Sequence, residues 1–400
     1  MIYIYVILVL GGRMSKFDDS YIDLCKTILN DGVEVSNRTG INTIKIPSYN
    51  FNFDLSEEFP ILQSKQTFYK NAIIEMLWIW QMQSNDVRDL HDRGVKIWDE
   101  WMIDDDGIYR IYDNTDSSDY DPDREVIVLD PLSAPLGEFN SNLKPRLDSD
   151  GKVMYAKSKI FGKNIVSAKY YGKGYAYTIG TAYGFITKRY KHTQNLINTL
   201  KNNKEDRRMV KSLWQDEFLR TAVLPSCVWS TEWDVTGDKL NLSVHQRSCD
   251  VPLGLPFNVT QYSCFLEMVA QVTGLVAGEI NYSIKDAHIY VNQLRGIREQ
   301  ILRWDRYNRM KCMSISQLKN RYDYLSLILN SDKAILSDDD KNNYESEYKI
   351  IDLILNPVKP ELWLNPSVDD FFAFDNSREL KDIKVKKYKH LGKISMPIAQ

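Results

Sequence analysis

The spacing of hydrophobic and polar positions changes several times along the chain, and each change marks an element. From residue 16 the pattern reads as a helix, followed by strands over 42–54. The run KNAIIEMLWIWQMQ at 70–83 is apolar on nearly every face. With no Gly or Pro it predicts a buried helix. Between residues 104 and 180 the pattern breaks into DDDG, NTDSSDYDPD, SAPLG and SDG clusters, which predict a turn-rich insertion or small subdomain. Periodicity then returns. It predicts a helix over 194–203, strands over 227–235 and 240–246 joined at Thr236-Gly237-Asp238, a buried helix over 261–272, strand and loop over 278–290, and a helix over 291–303. LGLPFN reads as a turn. A second polar stretch at 307–357, with the core SDDDKNNYESEY, predicts a solvated helix-and-loop excursion. The tail from residue 360 carries short strands.

Strands and helices without regular βαβα alternation predict an α+β fold, a mixed β-sheet packed with helices. The chain divides into an N-terminal extension, 1–13, and one large domain over 14–400 with insertions at about 104–180 and 307–357. Neither GxGxxG nor GxxxxGK[ST] occurs, so no dinucleotide or P-loop site is expected. The apolar run at 1–10 is too short to span a bilayer and lacks the flanks of a signal peptide, so no membrane anchor is expected. The chain is 43% hydrophobic and 26% charged, a globular profile, with a net charge of −3. Any anionic ligand must therefore be small and held by local arginines, and no nucleic acid is expected as a partner. The five cysteines (Cys25, Cys227, Cys249, Cys264, Cys312) contain no CxxC pair, and the five histidines show no metal-ligand spacing. Free thiols in a reducing cytoplasm, and no metal, fit this usage.

Several residues could carry chemistry. Cys227, in LPSCVWSTEWDV, starts a strand whose alternation puts it on one face with Trp229 and Trp233. A lone cysteine is more often a small core residue, and reactivity would need a cation nearby; Arg247 is a candidate. Glu75 interrupts the apolar helix. Either the fold hydrogen-bonds it or it serves proton transfer with its pKa raised by desolvation. Arg207 and Arg208 read as a solvated pair unless a phosphate is present. In QRSCDVPLGLPFN, Arg247 and Ser248 suit a phosphate, and the amide of Asn258 suits a uracil edge. A turn with Asx hydrogen bonds would explain the same residues. His288 and Tyr290, at i and i+2 of an extended run, suit a sugar hydroxyl as a pair, though either alone would be core.

Together these stretches resemble the thymidylate synthase family. RTG at 38–40, the helix with Glu75, IWDEW at 97–101, AYG around Tyr183, DRRMVKSLW, LPSC, QRSCDVPLGLPFN and DAHIYVNQ occur in the expected order, over about 15–103, 181–305 and 358–398. The resemblance implies methylation of dUMP to dTMP with 5,10-methylenetetrahydrofolate as co-substrate, giving dihydrofolate, in a homodimer built on a sheet face. Cys227 would add to C6 of the pyrimidine, with Arg247 lowering its pKa. Arg38, Arg208, Arg247 and Ser248 would hold the phosphate, with Arg207 and Arg208 reaching in from the other subunit. Asn258 would read the uracil edge, and His288 with Tyr290 the deoxyribose. Glu75 would organise proton transfers, with Tyr183 assisting loss of the C5 proton through water. Trp98, Trp101, Asp250 and Lys65 would bind the folate. Val228, Pro252, the Gln400 terminus and the two insertions depart from the family pattern. A related alternative is a phage-type deoxyuridylate hydroxymethylase, in which water captures the methylene group; Trp98, implied to exclude water, favours methylation. A silent scaffold would have lost the nucleophile or the phosphate arginines, and all are present.

Overall fold

The computed structural model describes residues 14–37, 39–113, 119–138, 142–331 and 336–398, so the 1–13 extension, Arg38 and Gln400 lie outside the described residues. In chain order the strands are β1 (Val33–Val35), β2 (Thr43–Asp54), β3 (Ile108–Tyr112), β4 (Glu125–Leu129), β5 (Tyr155–Lys157), β6 (Ile165–Tyr170), β7 (Val210–Ser212), β8 (Val228–Thr236), β9 (Lys239–Gln246), β10 (Cys249–Asp250) and β11 (Val276–Tyr290), then a β12–β13 pair (Glu361–Leu364, Ile383–Lys386). The principal helices are α1 (Lys16–Asp31), α2 (Tyr69–Trp80), α3 (Gly184–Tyr190), α4 (His192–Asn202), α5 (Gly254–Thr273), α6 (Leu294–Met310), α7 (Ile315–Leu329) and α8 (Asp338–Leu355). Two compact units result. One holds the described residues up to Ile73, those from Trp233 to Asp375 and those from Leu380 on; the other runs from Ile74 to Glu232 and takes in residues 376–379.

In the first unit the strands lie in the order β1-β2-β11-β9-β8, with β10 parallel to β11. Alternation along β2 and β11 buries Phe51, Phe53, Ile280, Tyr282 and Ile284 on one face and leaves Asn50, Asn52, Glu279 and Asn281 exposed on the other. Phe17 of α1 packs edge-on to Phe51 and Phe53, at 6.1 and 5.4 Å between ring centres. The start of α1 rests on Asp18, which is fully buried and accepts from Ser15 Oγ at 2.7 Å, Gln63 N at 2.8 Å and Ser64 N at 2.9 Å. Burial raises its carboxyl pKa despite these donors. Asp18→Ala would leave the two buried amides without their acceptor. A loss of about 3 kcal/mol is expected in urea unfolding.

Two sequence expectations change here. LGLPFN is not a turn, because α5 begins at Gly254 and takes in Pro256 and Asn258. Pro is tolerated there, since the first N–H groups of a helix have no partner within it. The 307–357 excursion is largely helical: α7, α8 and the end of α6 bury a core of their own around Tyr307, Leu318, Leu325, Ile350 and Ile351.

In the second unit α2 extends through the apolar run as expected, with Trp78 and Trp80 buried. The turn-rich stretch between residues 104 and 180 contains a four-stranded sheet, β3-β6-β4-β5, around Ile108, Val128, Ala156, Ile165 and Ala168. Strands this short leave little periodicity to read. β7 pairs antiparallel with the first half of β8. No helix among the described residues is long and apolar enough to cross a membrane.

Candidate active site

In the second unit Cys227 sits immediately before β8, half-buried. The loop leading to it is fixed by Thr181 N to Thr221 O at 3.0 Å, Val223 N to Ile179 O at 3.1 Å and Thr181 Oγ1 to Phe218 O at 2.8 Å. Gly180, at φ +72°, permits this contact, since a Cβ there would lie 2.0 Å from Thr221 O. The Cys227 N–H donates to the Tyr183 hydroxyl at 2.9 Å. The Tyr183 ring lies 5.4 Å from that of Trp98, whose indole N–H donates to Glu75 Oε1 at 2.7 Å, and Trp101 packs edge-on to Trp98 at 5.5 Å. Five residues expected to carry chemistry or bind folate thus form one connected set. Glu75 is half-buried with an indole on one oxygen.

The expected face-sharing of Trp229 and Trp233 fails. Trp229 is exposed and Trp233 buried, because consecutive Ser230 and Thr231 are both buried and the alternation slips there. Arg207 and Arg208 lie exposed before β7, and the Arg208 guanidinium holds Asp206 at 2.9 Å.

In the first unit β9 delivers Arg247 and Ser248, and β10 pairs Asp250 directly with His288 of β11. The His288 and Tyr290 rings meet edge-on at 5.1 Å. Asn258, on the second turn of α5, accepts from Gln246 Nε2 at 3.4 Å and donates to Gln261 Oε1 at 3.2 Å. Asp250 accepts from Leu253 N at 3.2 Å and Gln293 Nε2 at 3.3 Å; burial raises its pKa, with His288 opposing. Lys65 is buried, which lowers its pKa to about 8, and its ammonium donates to the Pro252 carbonyl.

Sequence reasoning missed Asp286. Its carboxylate accepts from Lys45 Nζ at 2.6 Å and Ser248 Oγ at 3.0 Å, and its carbonyl meets His288 Nδ1 at 2.8 Å. It therefore ties the serine of the turn to the histidine of the strand. Its φ of +50° inside a long strand is a conformation that Asp tolerates better than most residues, and an Asp two before a histidine was the available signal. Burial alone would lower the His288 pKa, but Asp286 and Asp250 outweigh it and the value lies above that of an ordinary histidine. This adds stability that is fully present below about pH 6.5 and is lost as pH rises through the higher folded value. Asp286→Asn should bring the His288 titration down, as followed by NMR, and reduce that pH-dependent increment to what Asp250 and the residue-286 carbonyl sustain.

A family model described as "Thymidylate synthase" matches residues 19–350, and the chain belongs to that family. A thymidylate synthase of Clostridium beijerinckii is 32% identical over 387 residues, covering 96% of this chain and all of the relative. The thymidylate synthase of Bacillus phage phi3T is 28% identical over 396 residues, again 96% of this chain and all of the relative. Among solved structures, the thermostable thymidylate synthase A from Bacillus subtilis matches with a TM-score of 0.59 at 28% identity, covering 96% of this chain and 99% of that one. The reading of the sequence as a thymidylate synthase, a methyltransferase of α+β fold using a methylenetetrahydrofolate co-substrate, agrees with these likenesses.

Proposed function

We propose that residues 14–400 act as a single catalytic domain with two insertions, methylating dUMP to dTMP through attack of Cys227 on C6 of the pyrimidine. The observation that carries this reading is the Glu75–Trp98–Tyr183–Cys227 set, in which the backbone of the nucleophile is pinned by a tyrosine hydroxyl. Addition of the sulfur makes C5 carbanion-like. Glu75 moves protons at the pyrimidine carbonyl, and Tyr183 assists removal of the C5 proton through water. Arg247 and Ser248 hold the phosphate, together with Arg38 and with Arg207 and Arg208 of the other subunit. Asn258 reads the uracil edge, while His288 and Tyr290 hold the deoxyribose. The reading includes a homodimer built on a sheet face, as the family resemblance implies. The reaction is placed in the cytoplasm and needs neither a metal nor nucleic acid.

Asp250 fits the folate, because its two hydrogen bonds leave acceptor capacity on both oxygens for ring N–H groups. Trp98 and Trp101 offer aromatic surface for the folate, and Lys65 would supply a cation to it. When bound, the folate supplies the one-carbon unit and the reducing hydride. The test is incubation with dUMP and 5,10-methylenetetrahydrofolate, reading dihydrofolate formation and the mass of the nucleotide. A methyl mass with dihydrofolate is expected; a hydroxymethyl mass with tetrahydrofolate overturns the proposal.

A further inference from the structure

We propose that a groove between α6, α8 and the segment 391–395 binds a small polyanion of the oligophosphate class, carrying three or more negative charges. The groove encloses about 750 Å³, within the range of pockets that take a nucleotide-sized ligand. Arg295, Arg298, Arg303, Lys349 and Lys393 line it with only Glu299 and Glu345 in opposition, an excess of three positive charges in a chain whose net charge is −3. Both carboxylates are already matched, Glu299 with Arg303 at 2.8 Å and Glu345 with Lys349 at 4.0 Å. Among the described residues, no acidic group lies in ion-pair range of Arg295, Arg298 or Lys393.

Three unmatched cations facing one groove repel each other, and a multivalent anion relieves that repulsion. Arg295, Arg298 and Leu302 sit at i, i+3 and i+7 on one face of α6, so the two guanidinium forks address the same ligand and exposed Leu302 offers an apolar surface beside it. Planar guanidinium forks match phosphate oxygens bidentately. The opposite wall is seated: Arg303 Nη1 donates to Leu391 O at 2.9 Å, and Met396 fills the space where a Cβ on Gly296 would stand, 2.7 Å away. Gly392 leaves room beside Lys349 and Arg303, whose nitrogens would be 3.7 and 3.9 Å from a Cβ there.

The test is titration calorimetry of the full chain with tripolyphosphate, a nucleoside triphosphate and citrate, each at low and moderate salt. Saturable binding of tripolyphosphate or the triphosphate at one per chain is expected, weakening at least about tenfold in the double variant Arg295→Glu, Arg298→Glu. Tighter binding of the triphosphate than of tripolyphosphate would place the organic group on Leu302. A control variant reversing exposed Lys201 and Lys204 should bind like the parent, and circular dichroism should show all variants folded. Equal weakening in the control overturns the proposal, as does citrate binding more tightly than either phosphate. Binding of a short RNA through these arginines without any binding of tripolyphosphate overturns it too.

Discussion

Cys227→Ser should lower turnover of dUMP by about 10⁴-fold or more while leaving reversible nucleotide binding measurable. A serine hydroxyl stays protonated at neutral pH and is a far weaker nucleophile than a thiolate. The change is close to isosteric at a half-buried position, and the backbone N–H that meets Tyr183 is untouched, so the fold should survive. A 5-fluoro-substituted dUMP provides the second readout. The parent should form a covalent adduct mapping to Cys227 by mass spectrometry, and the variant none. Cys25 and Cys264 are poor competitors because burial pushes the first up to about 12 and the second well above the ordinary thiol range. Cys249 is also fully buried. An adduct on any of these would remove Cys227 from the role proposed for it.

What the sequence could disclose follows from the range of each interaction. Period and punctuation are local, so the apolar run of α2 and the β8–β9 hairpin were readable, and so were the ordered blocks that carry the family resemblance; the strand and loop expected over 278–290 is instead one continuous strand, β11. Gly and Pro hid the start of α5, because in isolation they signal a turn while at a helix N-terminus they are permitted. Short strands hid the sheet within 104–180. The bonds that organise the candidate site are non-local. Trp98 reaches Glu75 across 23 positions, Tyr183 reaches Cys227 across 44, and Ser248 reaches Asp286 across 38. No periodicity encodes such pairs. Asp286 in particular works through a left-handed backbone and through bonds from Lys45 on β2 and Ser248 in the turn before β10, which leave no trace in residue spacing; only its place two residues before His288 does.

The same dependence on backbone placement makes Gly184→Ala the most informative structural variant. It should destabilise the protein by about 3 kcal/mol and cut turnover about 10²-fold, although the residue carries no side chain. Gly184 opens α3 directly after Tyr183, and a Cβ there would lie 1.7 Å from Ser84 O, 2.5 Å from Ser84 C and 2.7 Å from Ser84 N. All three are backbone atoms, so no rotamer change relieves the clash and a chain segment must move by more than an ångström. Ser84 resists, because its N–H bonds Trp78 O at 3.0 Å and its hydroxyl bonds Asp89 at 2.5 Å. The motion therefore falls largely on α3 and on Tyr183, already held at φ +45°. Displacing Tyr183 breaks its 2.9 Å bond from Cys227 N and shifts its ring from Trp98. Tyr183→Phe separates the two contributions: it removes only the hydroxyl, so it should lower kcat with little change in thermal midpoint, whereas Gly184→Ala should lower both. A Gly184→Ala protein with the parent's midpoint and turnover would show that the close approach of α3 to Ser84 does not govern the placement of Tyr183.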